Sequence, residues 1–124
     1  MNFLPSKIVK KGTDFSVFVN EQIWCSIDTD RQKNIQNLDG KDVLLGIRPE
    51  HINEKISENA IEHKVTIDLV EPLGMETMVY FTVNGVQLCG RVSPENNLTS
   101  DNTISLNFNK KKFHIIDPET DKVL

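Results

Sequence analysis

Cysteine is scarce in this sequence: Cys25 and Cys89 are its only two, far apart and each inside an apolar run. Neither belongs to a Cys-x-x-Cys pair and nothing frames a disulfide scaffold, so the pattern predicts buried thiols in a reducing compartment. Long apolar runs are missing as well. No uninterrupted stretch reaches the roughly 18 residues of a membrane span. The opening MNFLPSKIVKKG has too short an apolar stretch and the wrong charge order for a signal peptide. A soluble, cytoplasmic fragment is the expectation. Positive charge is not in excess either: the net charge is -4, whereas a phosphate backbone calls for a concentrated basic surface that releases counterions. Nucleic acid is therefore not an expected partner. The one dense basic run, Lys110-Lys111-Lys112, lies between two apolar runs and reads as a solvated hairpin tip.

The signatures of nucleotide chemistry are absent too. Gly40-Lys41-Asp42 comes nearest to a phosphate loop, but it lacks the preceding glycines whose N–H groups would surround phosphates, and Asp42 stands where a magnesium-binding hydroxyl belongs. His51, His63 and His114 have no His-Glu-x-x-His or Cys-x-x-Cys companions. Glu50, His51 and Glu54 could share one helical face, yet a metal site needs further convergent ligands. Asp68, Glu71 and Glu76 could approach one another across a turn, but acid and base work also needs a pocket that separates their pKa values. No Gly-x-Ser-x-Gly elbow occurs, and neither cysteine has a local reason for a lowered pKa. The residues point to no cofactor and no catalysis.

What the chain does contain is alternation. With 38% apolar and 26% charged residues it is an ordinary globular composition. FLPSKIV (3–9) reads as a first extended element in which Pro5 marks an edge or an initial bend. Phe15, Val17 and Val19, then Ile23, Cys25 and Ile27 across Asn20-Glu21, predict a hairpin, with Phe18 and Trp24 sharing its second face. Residues 28–42 read as a polar connection ending in Asp39-Gly40. Val43, Leu45 and Ile47 form a short strand stopped by Pro49, and 50–56 suits one or two helical turns. Val65, Ile67 and Leu69 alternate up to Glu71-Pro72. Val79, Phe81 and Val83 lead into Asn84-Gly85, with Val86, Leu88 and Val92 beyond, and Asn-Gly favours a type I′ hairpin turn. Ile104, Leu106 and Phe108, then Phe113 and Ile115, close the pattern. The fold class is all-β with short helical turns only. Many short strands with polar turns suit a closed or partly closed barrel, with a sandwich as the alternative.

Two loop segments stand apart. Arg48-Pro49-Glu50-His51 combines a charged pair with a rigid bend, and Glu71-Pro72-Leu73-Gly74-Met75-Glu76 does the same between strands. Both read equally as turn architecture or as loops that also form an interface, to which Met75 and Met78 would add adaptable apolar surface.

GIRPEHI at 46–52, VEPLGMET at 70–77, the VNG turn at 83–85 and the ending FHIIDPETDKVL at 113–124 resemble, in order, the C-terminal regulatory domain of sugar-importer ATPases of the maltose and glycerol-phosphate transporter type. MNFLPSKIV resembles the segment joining that domain to the ATPase domain. The resemblance implies that residues 1–124 form a regulatory and dimerisation domain. It further implies two small OB-fold-like barrels in tandem, with strands from separated parts of the chain interleaved in each. In the parent protein a preceding domain would bind ATP and magnesium, and the dimer would act on a membrane permease from the cytoplasmic face. The domain itself would bind no cofactor. It would pair with a second copy and, in some relatives, accept a regulatory protein. Arg48, Pro49 and Glu50 match the family's RPE segment, while Glu71, Gly74, Glu76 and Thr77 match its EPLGxET segment. Asp117, Pro118, Glu119 and Thr120 match its terminal DPET. With Met75, and apart from Glu119 and Thr120, these are the candidate loop and interface residues, none of them catalytic. Asp121 and Ile116 depart from the common glycine and phenylalanine. The alternative is a small-ligand or oxyanion-binding module, since related paired barrels in molybdate proteins bind such a ligand.

Overall fold

The computed structural model describes residues 1–19, 22–27, 35–94 and 98–124. The Asn20-Glu21 interruption and residues 28–34 of the first polar connection lie outside them. The described residues are built from ten strands and no long helix, arranged as two five-stranded sheets. The chain divides into two compact units, residues 3–46 with 114–124, and residues 1–2 with 47–113.

In the first unit the strands β1 (Asn2–Lys11), β2 (Asp14–Val19), β3 (Gln22–Ser26), β4 (Asp42–Ile47) and β10 (His114–Ile116) are ordered β10-β4-β1-β2-β3. Strand β1 is central rather than an edge, but its register with β2 begins only at Lys7, opposite Phe18. Pro5 therefore lies ahead of that ladder, where its missing N–H removes no bond to β2. A bulge between Val17 and Phe18 sets Val17 opposite Cys25 and Phe18 opposite Ile23, leaving Trp24 as the extra residue. This explains why two consecutive side chains, Trp24 and Cys25, are both buried where alternation would expose one. Leu4, Ile8, Phe15, Val17, Leu45 and Ile115 fill the interior. Ile35, inside the segment read as a polar connection, is also buried. The chain's end folds back on β10: Ile116 bridges Val123, and the Leu124 N–H donates to the Ile115 carbonyl.

In the second unit β5 (Ile52–Asn53), β6 (Ala60–Pro72), β7 (Thr77–Val83), β8 (Val86–Val92) and β9 (Thr103–Asn109) are ordered β5-β9-β6-β7-β8. Strand β6 pairs with β9 through Ala60–Thr66 and with β7 through Ile67–Pro72. Changing partners halfway along one strand curls the sheet into a half-barrel. A bulge at Asp68 sharpens the bend, and Asp68 then accepts a hydrogen bond of 2.7 Å from the Thr82 hydroxyl. The bulge also turns Leu69, predicted inward, out to solvent at 51% exposure. The curl carries the two outermost strands together: a Cβ placed on Gly90 of β8 would lie 2.7 Å from the Ile52 carbonyl oxygen of β5. Inside, Phe81 and Phe108 meet edge to face at 6.1 Å, and Ile67, Leu88 and Leu106 are buried with them.

The predicted Asn-Gly turn is present. Asn84 and Gly85 both take positive φ, 50° and 77°, between the paired Val83 and Val86, as a type I′ turn requires. Two expectations shift. Residues 50–56 make only a 3-10 turn, Pro49–His51, before β5 begins; β5 finds its partner in β9 at once, and extended pairing displaces the helix. The lysine run is not a hairpin tip, because β9 pairs within the second unit while β10 pairs with β4 in the first.

Candidate interaction groove

The RPE segment is shaped by its proline. Arg48 is extended, φ -76° and ψ 144°, as a residue preceding proline must be, and Pro49 opens the 3-10 turn with φ already set. The His51 N–H closes the turn on the Arg48 carbonyl at 2.9 Å, and buried Ile52 anchors it to the barrel. Asn53 clamps the exit of the turn: its side-chain amide donates to the Glu50 carbonyl at 3.0 Å, and its oxygen accepts the Lys55 N–H at 2.9 Å. Glu50 is thereby displayed at the surface. A backbone hydrogen bond at its own amide, then the charges of Arg91, His51 and Arg48, hold its carboxyl below the usual 4.5.

The EPLGMET segment is the tip between β6 and β7. Pro72 faces Thr77 as the last pair of the ladder, and the Leu73 N–H donates to the Glu76 carbonyl at 2.8 Å. Gly74 takes φ 90° between them. Thr77 is buried, so it holds the tip rather than presenting it, while Glu71 and Gly74 are exposed and Met75 stands out at 94% exposure.

These two segments converge on Arg91 of β8. Its Nε lies 3.6 Å from Glu76 Oε2, and its charge is among those acting on Glu50. An exposed pair of this length contributes at most about 1 kcal/mol to stability, so its interest is its position. Around it opens a groove of about 310 Å³, lined by Glu50, Asn53, Glu54, Glu76, Arg91 and Ser93. Glu54 closes one side by accepting the Ser93 N–H at 2.9 Å. Of the candidate residues, Glu50 and Glu76 line the groove. Arg48 and Pro49 shape the turn beneath Glu50, and Glu71, Gly74 and Met75 belong to the adjacent tip. Asp117 and Pro118 belong to the other unit. There the Asp117 carboxylate accepts the Glu119 N–H at 2.9 Å, in a turn that returns the chain to β10.

Arg91 was not among the candidates, although the sequence held its signal. The Asn-Gly turn fixes Val83 opposite Val86, and counting back along the ladder sets Met78 opposite Arg91, two residues from Glu76. Asn2 was missed as well. Its side-chain amide donates to the Cys89 carbonyl at 2.8 Å and its oxygen accepts the Cys89 N–H at 2.9 Å, so one side chain caps the outer edge of β8 as a neighbouring strand would. Burial pushes the Cys89 thiol up, which keeps it protonated and unreactive. Among the described residues no three His, Cys, Asp or Glu side chains gather as metal ligands, and no helix is long and apolar enough to cross a membrane.

Comparison with known proteins agrees with this architecture. Residues 1–52 match the MalK OB fold domain family and residues 45–116 match the TOBE domain family. The sulfoquinovosyl glycerol transport ATP-binding protein SmoE of Agrobacterium fabrum is 32% identical over 68% of the chain and 24% of its own length. The uncharacterized ABC transporter ATP-binding protein YcjV of Escherichia coli is 31% identical over 98% of the chain and 32% of its own length. The trehalose/maltose import ATP-binding protein MalK of Thermococcus litoralis is 28% identical over 100% of the chain and 34% of its own length. The chain thus spans between 24% and 34% of the length of these curated relatives. The cytoplasmic molybdate-binding protein ModG shares the fold at a TM-score of 0.63, covering 92% of this chain and 94% of its own, at 10% identity. The all-β architecture and the family matches agree: the chain belongs to the TOBE domain family, as a non-catalytic C-terminal TOBE/OB-type regulatory domain of the kind carried by ATP-binding subunits of sugar ABC transporters.

Proposed function

We propose that this domain holds together, and regulates, a homodimer of ATP-binding subunits that powers carbohydrate import. The relatives are named as ATP-binding proteins for transport of sulfoquinovosyl glycerol and for import of trehalose, maltose and oligosaccharides, which supports a carbohydrate importer as the parent. An ATPase domain in that parent would bind ATP and magnesium and dock on permease subunits at the cytoplasmic face of the membrane. Residues 1–124 would act as its dimerisation and regulatory part and accept a regulatory protein in some settings. The observation that carries the reading is the convergence of the RPE and EPLGMET loops on Arg91, beside a tip that projects Met75 into solvent. A flexible thioether flanked by Glu71 and Glu76 suits an adaptable apolar contact within a charged rim. The oxyanion reading is opposed by the same groove, where Glu50, Glu54 and Glu76 outnumber Arg91 and Lys55.

Sedimentation equilibrium of the chain at several concentrations tests the dimer. Self-association that Met75→Asp weakens at least about tenfold, or about 1.4 kcal/mol, is the expected result. A strictly monomeric chain, or a dimer indifferent to Met75→Asp, would remove this surface from the interface. Calorimetry with ATP and magnesium should give no binding by the chain itself.

A further inference from the structure

The outer face of β6, β7 and β8 carries apolar side chains that add nothing to the core. Counting across the ladders sets Leu69, Tyr80 and Cys89 side by side in one row, and Glu71, Met78 and Arg91 in the next. Val79 and Leu88 alternate with these and are buried, so both rows point outward. Leu69 reaches the surface through the Asp68 bulge, and re-aiming a side chain is what a bulge does. Partial burial, then the Glu71 carboxylate and the Cys89 thiol, raise the Tyr80 hydroxyl above its usual 10.0, which sets ring, carboxylate and thiol on one patch. Half-exposed Leu73 and the projecting Met75 continue the apolar surface at the tip. An apolar patch with a charged rim marks a contact site. The sheet edge beside it is closed to an added strand at Cys89, because Asn2 already satisfies both backbone groups there.

We infer that this face packs on the same face of a second copy, with the two-fold axis running along β7. The inference rests on the dimer reading and specifies its contact. What selects the axis is the order of charges, since Glu71 and Arg91 stand at opposite ends of one row with Met78 between them. A half-turn about an axis along β7 exchanges β6 for β8. Each Glu71 then meets the second copy's Arg91, Leu69 meets its Cys89, and Met78 and Tyr80 meet their own counterparts. A contact between like surfaces requires a patch that complements itself, and this row does so. An axis running across the strands would instead set Glu71 against Glu71 and Arg91 against Arg91, and like charges face to face oppose association. Arg91 can serve both contacts, because its Nε faces Glu76 while the terminal nitrogens of a guanidinium carry further donors.

The test is sedimentation equilibrium of Glu71→Arg and Arg91→Glu chains, each alone and then mixed in equal amounts. Each alone should associate at least about tenfold more weakly than the parent sequence, because like charges meet at both ends of the row. The mixture should recover association as a heterodimer, since every reversed charge then finds its opposite. Leu69→Asp should weaken association as much, while the melting of the dilute, monomeric chain stays where it was. With the parent sequence dimeric, a mixture no stronger than its components, or single variants that associate like the parent, would overturn this contact and leave the dimer reading standing. A parent chain monomeric at every concentration would overturn both.

Discussion

Gly90 occupies a point where any side chain would strike backbone. Its missing Cβ would sit 2.7 Å from the Ile52 carbonyl oxygen and 2.9 Å from Ile52 Cγ2, and the oxygen belongs to β5, whose pairing with β9 holds it in place. Gly90→Ala should therefore destabilise the chain by about 1–3 kcal/mol through overpacking, seen as a lower urea midpoint with an unchanged m value. A midpoint equal to that of the parent sequence would mean that β5 and β8 do not approach so closely. Asn2 acts at the same scale with opposite chemistry, because its amide satisfies both backbone groups of Cys89 on an otherwise open edge.

Strand β6 shows what an element can hide. The Asp68 bulge puts Ile67 in the core and Leu69 in solvent, although alternation sets them on one face. Ile67→Ala should cost about 2–5 kcal/mol as a cavity forms, and Leu69→Ala should stay within about 0.5 kcal/mol; comparable losses in thermal melts of the two variants would contradict the bulge. The strands themselves were legible, because Val65, Val79, Phe81, Leu106 and Ile115 follow a period of two and Asn84-Gly85 fixes its own turn. The bulges at Trp24 and Asp68 were not, since one extra residue reverses every later side chain and leaves no mark in local composition. The lysine run misled for a related reason: Phe108 and Phe113 alternate alike, and nothing local says that their strands join different sheets. In the site, Glu50 and Glu76 could be read from their motifs and Arg91 from the hairpin register.

For the molecule as a whole, self-association has a thermodynamic signature that needs no knowledge of the interface. Association stabilises the folded chain by mass action, so the thermal midpoint should rise with chain concentration over about a hundredfold range; a constant midpoint would count against a dimer. The division of β1 bears on heredity. Asn2 serves one unit and Leu4 the next, while β10 returns from the far end of the chain to complete the sheet that β1 began. Neither unit is encoded by one continuous stretch of gene. Recombination that copied either half alone would deliver a sheet without its closing strand or an edge without its asparagine clasp, so the two can be inherited, shuffled or lost only as a pair.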